Sequence, residues 1–257
     1  MLKSLELSGR VAVVIGGTSG LGRTLALGLA EAGADVVATG RREALVQEAC
    51  DQIERLGRRS LPVPVDVAER CSVDTLRARV LEYFGQVDIL VNAAGRIARK
   101  PTVAVSEEEW RETMDVNATG ALRACQSFYE PLAASRRGRV INIVSLNSFV
   151  SLKEVAAYAA SKSALLSLTR SLAVEWAASG VNVNAIAPGV FRTDLNRKLL
   201  DETERGRELL MRTPMKRFGC AEELIGAAVL LASDAASFMT GQCLVVDGGF
   251  LASGVNS

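Results

Sequence analysis

A tyrosine and a lysine stand four positions apart in "VAAYAASKSAL" (Val155–Leu165), in a chain of 257 residues that contains no histidine. On a helix this spacing puts Tyr158 and Lys162 on one face, one turn apart. A free phenol has a pKa of about 10, too high for easy proton exchange near neutrality. A fixed ammonium nearby favours the phenolate, so Tyr158 can serve as general acid or base with Lys162 as its tuner. Thirteen residues before Tyr158, at the end of the apolar run in "INIVSLNSF", sits Ser145. Its hydroxyl can polarise a carbonyl oxygen beside the phenol, and Asn147 follows in the same loop as a second polar candidate for the substrate. Without histidine, the common zinc sites and every Ser-His or Cys-His nucleophile are excluded. No metal site is expected. The five cysteines are scattered without a C-x-x-C pair and read as reduced packing residues.

A second constellation lies near the N-terminus. "GGTSGLG", Gly16 to Gly22, follows an apolar run and opens a helical one. A tight strand-to-helix turn tolerates glycine best, and a pyrophosphate must approach bare backbone before meeting helix N-terminal amides. Gly16, Gly20 and Gly22, with Thr18, Ser19 and Leu21 between them, are therefore candidates for dinucleotide binding. An NAD site usually holds a carboxylate at the end of the second strand. This chain has Gly40, Arg41 and Arg42 there. A guanidinium can grip a ribose 2′-phosphate through paired hydrogen bonds, which favours NADP(H) and leaves room for NAD(H). Arg41 is assigned that contact. Arg42 is either a second contact or the polar start of the next helix.

These groups need a scaffold. Short apolar runs at Val11–Ile15, Val36–Thr39, Leu61–Val65, Val87–Val91, Val140–Val144, Val181–Ile186 and Cys243–Val246 alternate with helical stretches. The latter are Leu21–Ala32, Arg42–Leu56, Ser72–Phe84, Glu107–Leu132, Val155–Ala178 and Ala221–Ala232. Apolar strands separated by helices predict an α/β fold, a doubly wound parallel sheet of about seven strands covered on both faces. Strand C-terminal ends line the ligand crevice in such sheets, which suits Ser145. No linker divides the chain, so residues 1–257 are expected to form a single domain. The charged stretch 191–219 would be an excursion over the site. A net charge of +1 argues against nucleic acid. No apolar run reaches membrane-spanning length and no secretory signal opens the chain, so a cytoplasmic protein is expected.

With these motifs assembled, the sequence resembles the short-chain dehydrogenase/reductase family over essentially its whole length. "IGGTSGLG" is similar to the family's T-G-x-x-x-G-x-G, with Ile15 in place of threonine. The resemblance implies a Rossmann-type fold in which Ser145, Tyr158 and Lys162 are catalytic. Asn117, in "DVNATG", would complete a proton relay by anchoring a water. Lys162 would also hold the nicotinamide ribose. "DV" at Asp66–Val67 matches the segment that touches adenine. "NAAG", Asn92 through Ala93 to Gly95, resembles the N-N-A-G that props the central strand. "PGVFRT", with Pro188, Gly189, Val190 and Thr193, resembles the segment at the nicotinamide end. "TGQCLVVDGG" resembles a strand that helps form homotetramers.

Within the family the likeness is to gluconate 5-dehydrogenases and related sugar-acid enzymes, through "RIARKP", "APGVFRTDLN" and "RTPMKRFGCAEELIGAAVLLASDAASF". Arg99 is the candidate for a substrate carboxylate. Two other readings stand beside this one. A 3-oxoacyl-acyl-carrier-protein reductase would use Arg136, Arg137 and Arg139 to dock an acidic carrier. A non-catalytic NADP sensor would be expected to lack the tyrosine or the lysine.

Overall fold

Every residue of Val11–Ile15 (β1) is buried, because both faces of this strand are covered. Val11, Val13 and Ile15 enter one apolar layer, and Ala12 and Val14 enter the other. The chain is seen in a computed structural model that describes residues 2–193 and 196–254. The remaining strands are β2 (Asp35–Thr39), β3 (Ile89–Asn92), β4 (Arg139–Ile143), β5 (Asn182–Pro188) and β6 (Cys243–Val246). They form one parallel sheet in the order β2-β1-β3-β4-β5-β6. The chain reverses its winding at β1, so β1 and β3 are neighbours and their C-terminal ends open a crevice.

Helices α1 (Gly20–Glu31) and α2 (Glu43–Arg55) cover the Ala12/Val14 side. Helices α3 (Arg70–Phe84), α5 (Gly120–Ala134) and α6 (Ala156–Trp176) cover the other, through residues such as Leu76, Phe128 and Trp176. Between α3 and α5 lies α4 (Glu107–Met114), started by a reciprocal cap. The Ser106 hydroxyl accepts from Glu109 N at 3.1 Å while the Glu109 carboxylate accepts from Ser106 N at 2.8 Å.

The sheet has six strands rather than about seven. Leu61–Val65 reads "LPVPV", and Pro62 and Pro64 remove alternate donors from any ladder. Main-chain bonds beside β2 only flank the segment, at Val36 N to Arg59 O (3.1 Å) and Val65 N to Gly40 O (3.0 Å). Hydroxyls take over between them. Ser60 Oγ donates to Val36 O at 2.7 Å and Thr39 Oγ1 donates to Val63 O.

The expected helix Glu107–Leu132 is divided by a π-helical turn at Asp115–Thr119. Beyond β5, helices α7 (Arg197–Glu202) and α8 (Glu204–Arg212) form the excursion, closed at its base by a Phe191–Gly219 bridge. Leu200 and Leu209 pack with Leu146 and Phe250, which brings the excursion down beside Ser145. Helix α9 (Ile225–Ala232) returns the chain to the α1 side of the sheet. Among the described residues, no helix is long and apolar enough to cross a membrane.

Candidate active site

Ser145 lies two residues beyond the end of β4, buried, in extended backbone. Its Oγ accepts from Asn147 N at 3.1 Å and lies 3.4 Å from Asn147 Oδ1. Tyr158 occupies the first turn of α6, beside Ser145. Burial raises the phenol pKa, and the Ser145 contact works against that rise. Lys162, one turn on, is buried with its Nζ 5.8 Å from the Tyr158 ring centroid. It donates to Ile143 O at 2.7 Å. Burial lowers its pKa to about 8, so the ammonium is charged at neutral pH and titrates just above it.

Asn117 sits in the π turn, fully buried. Its Oδ1 accepts from Arg96 N at 2.8 Å, and its Nδ2 donates to Arg96 O and Ser161 Oγ, both at 2.9 Å. Ser161 Oγ in turn donates to Tyr158 O at 2.7 Å. Sequence reading missed Ser161, although it stands three residues from Tyr158 on the same helix. A Cβ placed on Gly95 would lie 3.5 Å from Asn117 Oδ1 and 3.6 Å from Lys162 Nζ. Gly95, Asn117 and Lys162 therefore border one space. The strand ends beneath are cross-braced: Asn92 Nδ2 donates to Asn142 Oδ1 (2.8 Å), and Asn142 Nδ2 donates to Thr169 Oγ1 on α6 (2.9 Å).

The glycine loop forms a bare cradle against the end of β3. Gly16 has φ +82°, and a Cβ there would meet Ala94 N at 2.5 Å. On Gly22 it would meet Gly16 O at 2.1 Å. Only glycine fits either position, and this is the backbone a pyrophosphate needs. Thr18 is buried in the loop, while Ser19 and Gly20 are exposed and Leu21 half-exposed at the start of α1. Arg41 and Arg42 are exposed at the end of β2, and Arg42 Nη2 reaches Ser19 Oγ at 3.4 Å. Asp66 and Val67 follow the proline-rich segment, with Asp66 Oδ1 accepting from Ala68 N at 3.0 Å and Val67 buried. Pro188 ends β5, Gly189 N donates to Val246 O at 2.9 Å, and Val190 O accepts from Gly219 N at 3.0 Å. Thr193 N donates to Asn196 Oδ1 at 2.8 Å, which pins the start of the excursion.

A family model described as enoyl-(acyl carrier protein) reductase matches residues 16–251. The chain belongs to the short-chain dehydrogenase/reductase family. It is 39% identical to the 2-dehydro-3-deoxy-D-gluconate 5-dehydrogenase of Escherichia coli (strain K12), over 98% of this chain and 99% of that protein. It is 37% identical to the gluconate 5-dehydrogenase of Gluconobacter oxydans (strain 621H), over 96% of this chain and 97% of that one. The crystal structure of a gluconate 5-dehydrogenase from Burkholderia cenocepacia J2315 in complex with NADP and tartrate superposes with a TM-score of 0.94. It is 38% identical and covers 98% of this chain and 99% of that one.

In this short-chain dehydrogenase/reductase the basic residues of "RIARKP" part company. Arg96 pairs with Glu112, and Lys100 Nζ lies 2.9 Å from Glu109 Oε1, both on α4. Arg99 instead is exposed. The arginines considered for carrier docking fall elsewhere. Arg139 starts β4, buried, and Arg137 is tied to Asp88 at 3.0 Å. At about 3.3 Å per strand residue they lie roughly 20 Å from Ser145, at the opposite end of the sheet. Two of the thiols are unsuited to nucleophilic work: burial pushes Cys125 up to about 12 and Cys243 up to about 11.

Proposed function

We propose that this enzyme moves a hydride between NADP(H) and a carbonyl or secondary alcohol of a sugar acid or a related polar keto acid. The observation that carries the reading is the convergence of Ser145, Tyr158 and Lys162 at the C-terminal end of β4, beside a cradle that accepts only glycine. The nicotinamide supplies the hydride chemistry when bound, and the protein supplies position and protons. In reduction, Tyr158 gives its phenolic proton to the nascent alkoxide while Ser145 hydrogen-bonds the same oxygen. Lys162 holds positive charge within 6 Å of the phenol and offers donors to the nicotinamide ribose. Asn117 fixes the loop after β3 and, through Ser161, the first turn of α6. The π turn takes main-chain carbonyls of this region out of the regular helical pattern, which suits the water relay assigned to Asn117.

The remaining cofactor roles are assigned as the family resemblance implies. Gly16 to Gly22 hold the phosphates, and Arg41, with Arg42 beside it, holds the 2′-phosphate. Asp66 and Val67 meet adenine, Asn92 to Gly95 line the middle, and Pro188 to Val190 with Thr193 line the nicotinamide end. NADP(H) is the preferred cofactor, with NAD(H) a poorer one. Arg99, and Asn147 beside Ser145, are assigned to the substrate. Relatives with sugar-acid names and a relative holding NADP and tartrate support this assignment. We further propose a one-domain protomer with residues 191–219 as its lid, assembled as a homotetramer in the cytoplasm. The exposed apolar side chains of Val174 and Phe238 support assembly, and light scattering checks it.

The carrier-protein reading loses its docking patch to the far end of the sheet. The sensor reading is disfavoured because Tyr158 and Lys162 are both in place. Incubation with NADPH and a panel that includes 5-ketogluconate and an acetoacetyl thioester decides between them. Turnover of the keto acid is expected; turnover of the thioester alone would overturn the substrate assignment.

A further inference from the structure

One side chain beside Ser145 is only half used. Asn147 is 9% exposed, yet its amide nitrogen is buried with no hydrogen-bond partner among the described residues. Its other end makes a single long contact, in which Ser145 Oγ donates to Asn147 Oδ1 at 3.4 Å. Buried polar groups normally find partners, because an orphan forfeits the bonds it made with water. Asn142 and Asn184, equally buried, obey that rule at both ends. Asn142 Oδ1 accepts from Asn92 Nδ2, and its own Nδ2 donates to Thr169 Oγ1. Asn184 Nδ2 donates to Met239 O at 2.8 Å, and its Oδ1 accepts from Gln242 N at 3.0 Å.

The backbone under Asn147 is held. It lies in the 3-10 turn Leu146–Ser148, closed by Ser148 N to Ser145 O and Phe149 N to Leu146 O, both at 2.9 Å. Leu146 packs with Leu200 and Leu209 of the excursion, and Asn147 N donates to Ser145 Oγ at 3.1 Å. The amide plane is less constrained, since χ2 of asparagine is broad and roughly two-fold. A half-turn would place Nδ2 where Oδ1 stands and would break only the one long bond.

The two orientations do opposite things to Ser145. A serine hydroxyl has one hydrogen and two lone pairs. With Oδ1 toward it, the hydrogen is spent on Asn147 and withheld from a substrate. With Nδ2 toward it, both lone pairs accept from Asn147, through its main-chain and side-chain nitrogens, and the hydrogen is left for a substrate oxygen. Accepting two bonds also polarises the hydroxyl and strengthens it as a donor.

We propose that Asn147 is a positioning residue that switches Ser145: its amide turns over when a substrate oxygen arrives, so that Ser145 accepts two hydrogen bonds from Asn147 and donates its own to the substrate. This rests on Ser145 acting as donor to the reacting oxygen, as assigned above. It deepens the assignment of Asn147, which reaches the substrate through Ser145.

The test follows NADPH oxidation by the full chain in single turnovers, with 5-ketogluconate and with the neutral diketone 2,3-butanedione. Wild type is compared with Asn147→Leu, Asn147→Ala, Ser145→Ala and the Ser145→Ala/Asn147→Leu double variant. Leucine is close to asparagine in size and carries neither donor nor acceptor, and alanine guards against a leucine that packs badly. Both Asn147 variants are expected to slow the hydride step about three- to tenfold with either ketone, the scale of one hydrogen bond. NADPH affinity and melting temperature should stay close to wild type, which a purely structural role would not allow. On the Ser145→Ala background the leucine should have no further effect, because the group it acts through is gone. Asn147 variants as fast as wild type or faster overturn the switch, since removing a mere competitor for the hydrogen would speed the reaction. An equal loss with and without Ser145 overturns it too, and makes Asn147 a direct contact or a structural residue. If Ser145→Ala itself keeps the wild-type rate, the donor role of Ser145 falls and the switch falls with it. If Ser145→Ala is slow and the Asn147 variants are not, only the switch falls.

Discussion

Lys162 Nζ donates to Ile143 O at 2.7 Å, so the second turn of α6 is pinned to the last residue of β4. That bond fixes the helix carrying Tyr158 against the strand end carrying Ser145. It also places an ammonium where water is largely excluded, which lowers its pKa to about 8.

The first prediction concerns this cation. The unfolded pKa of 10.5 lies above the folded value of about 8, so between them the unfolded chain binds the extra proton. The destabilisation is therefore complete below about pH 8 and disappears as pH rises toward 10.5. At about 1.4 kcal/mol per pH unit the difference corresponds to about 3 kcal/mol. Lys162→Met removes that burden but leaves Ile143 O without its donor, at a cost of about 1 kcal/mol. A gain of about 2 kcal/mol at pH 7, or several degrees in Tm, is expected together with loss of turnover and weaker NADPH binding. A lower Tm with unchanged NADPH affinity would make Lys162 a purely structural residue.

Tyr158→Phe deletes only the phenolic oxygen. Turnover is expected to fall by more than tenfold, in kcat and kcat/KM together, with NADPH affinity nearly intact. Retention of a tenth of the wild-type rate would remove Tyr158 from proton transfer.

Gly22→Ala tests the cradle. Its methyl would stand 2.1 Å from Gly16 O, a backbone atom that cannot turn aside. The loop must open, so NADPH binding should become undetectable by fluorescence titration while far-UV circular dichroism keeps its helical signal. Wild-type affinity in this variant would mean that the phosphates bind elsewhere.

Sequence spacing carried the site further than it carried the scaffold around it. Ser145, Tyr158 and Lys162 were readable because strand ends and helical turns place side chains by simple periods. Leu61–Val65 misled because its valines alternate as a strand's do, while Pro62 and Pro64 forbid the ladder. Arg99 could be nominated from its motif. What spacing could not show is how the excursion settles over Leu146, a contact between residues more than fifty positions apart. How dry this corner becomes was likewise beyond spacing: burial raises the Tyr158 phenol and lowers the Lys162 ammonium.

The last prediction concerns the corner at the end of β2. Gly40 stands where a carboxylate would bond a free ribose hydroxyl, and Arg41 beside it is exposed. Arg42 already leans on Ser19 at the start of α1, so Arg41 is the more adaptable partner for a 2′-phosphate. Removing one charge-assisted contact costs about 1.5–3 kcal/mol, which is ten- to a hundredfold in affinity. Arg41→Ala should therefore weaken NADPH by that factor and leave NADH within about threefold of wild type. Reversal needs a new acid as well. A Cβ at Gly40 would lie 2.8 Å from Thr18 Oγ1, the tip of a side chain that can rotate, so Gly40→Asp should fold with a modest loss of stability. Gly40→Ala is the control for that loss. Gly40→Asp combined with Arg41→Ala is expected to bind NADH more tightly than NADPH. Fluorescence titration of both reduced cofactors checks each step, and tighter NADH binding by the unmodified enzyme would sink the assignment of Arg41.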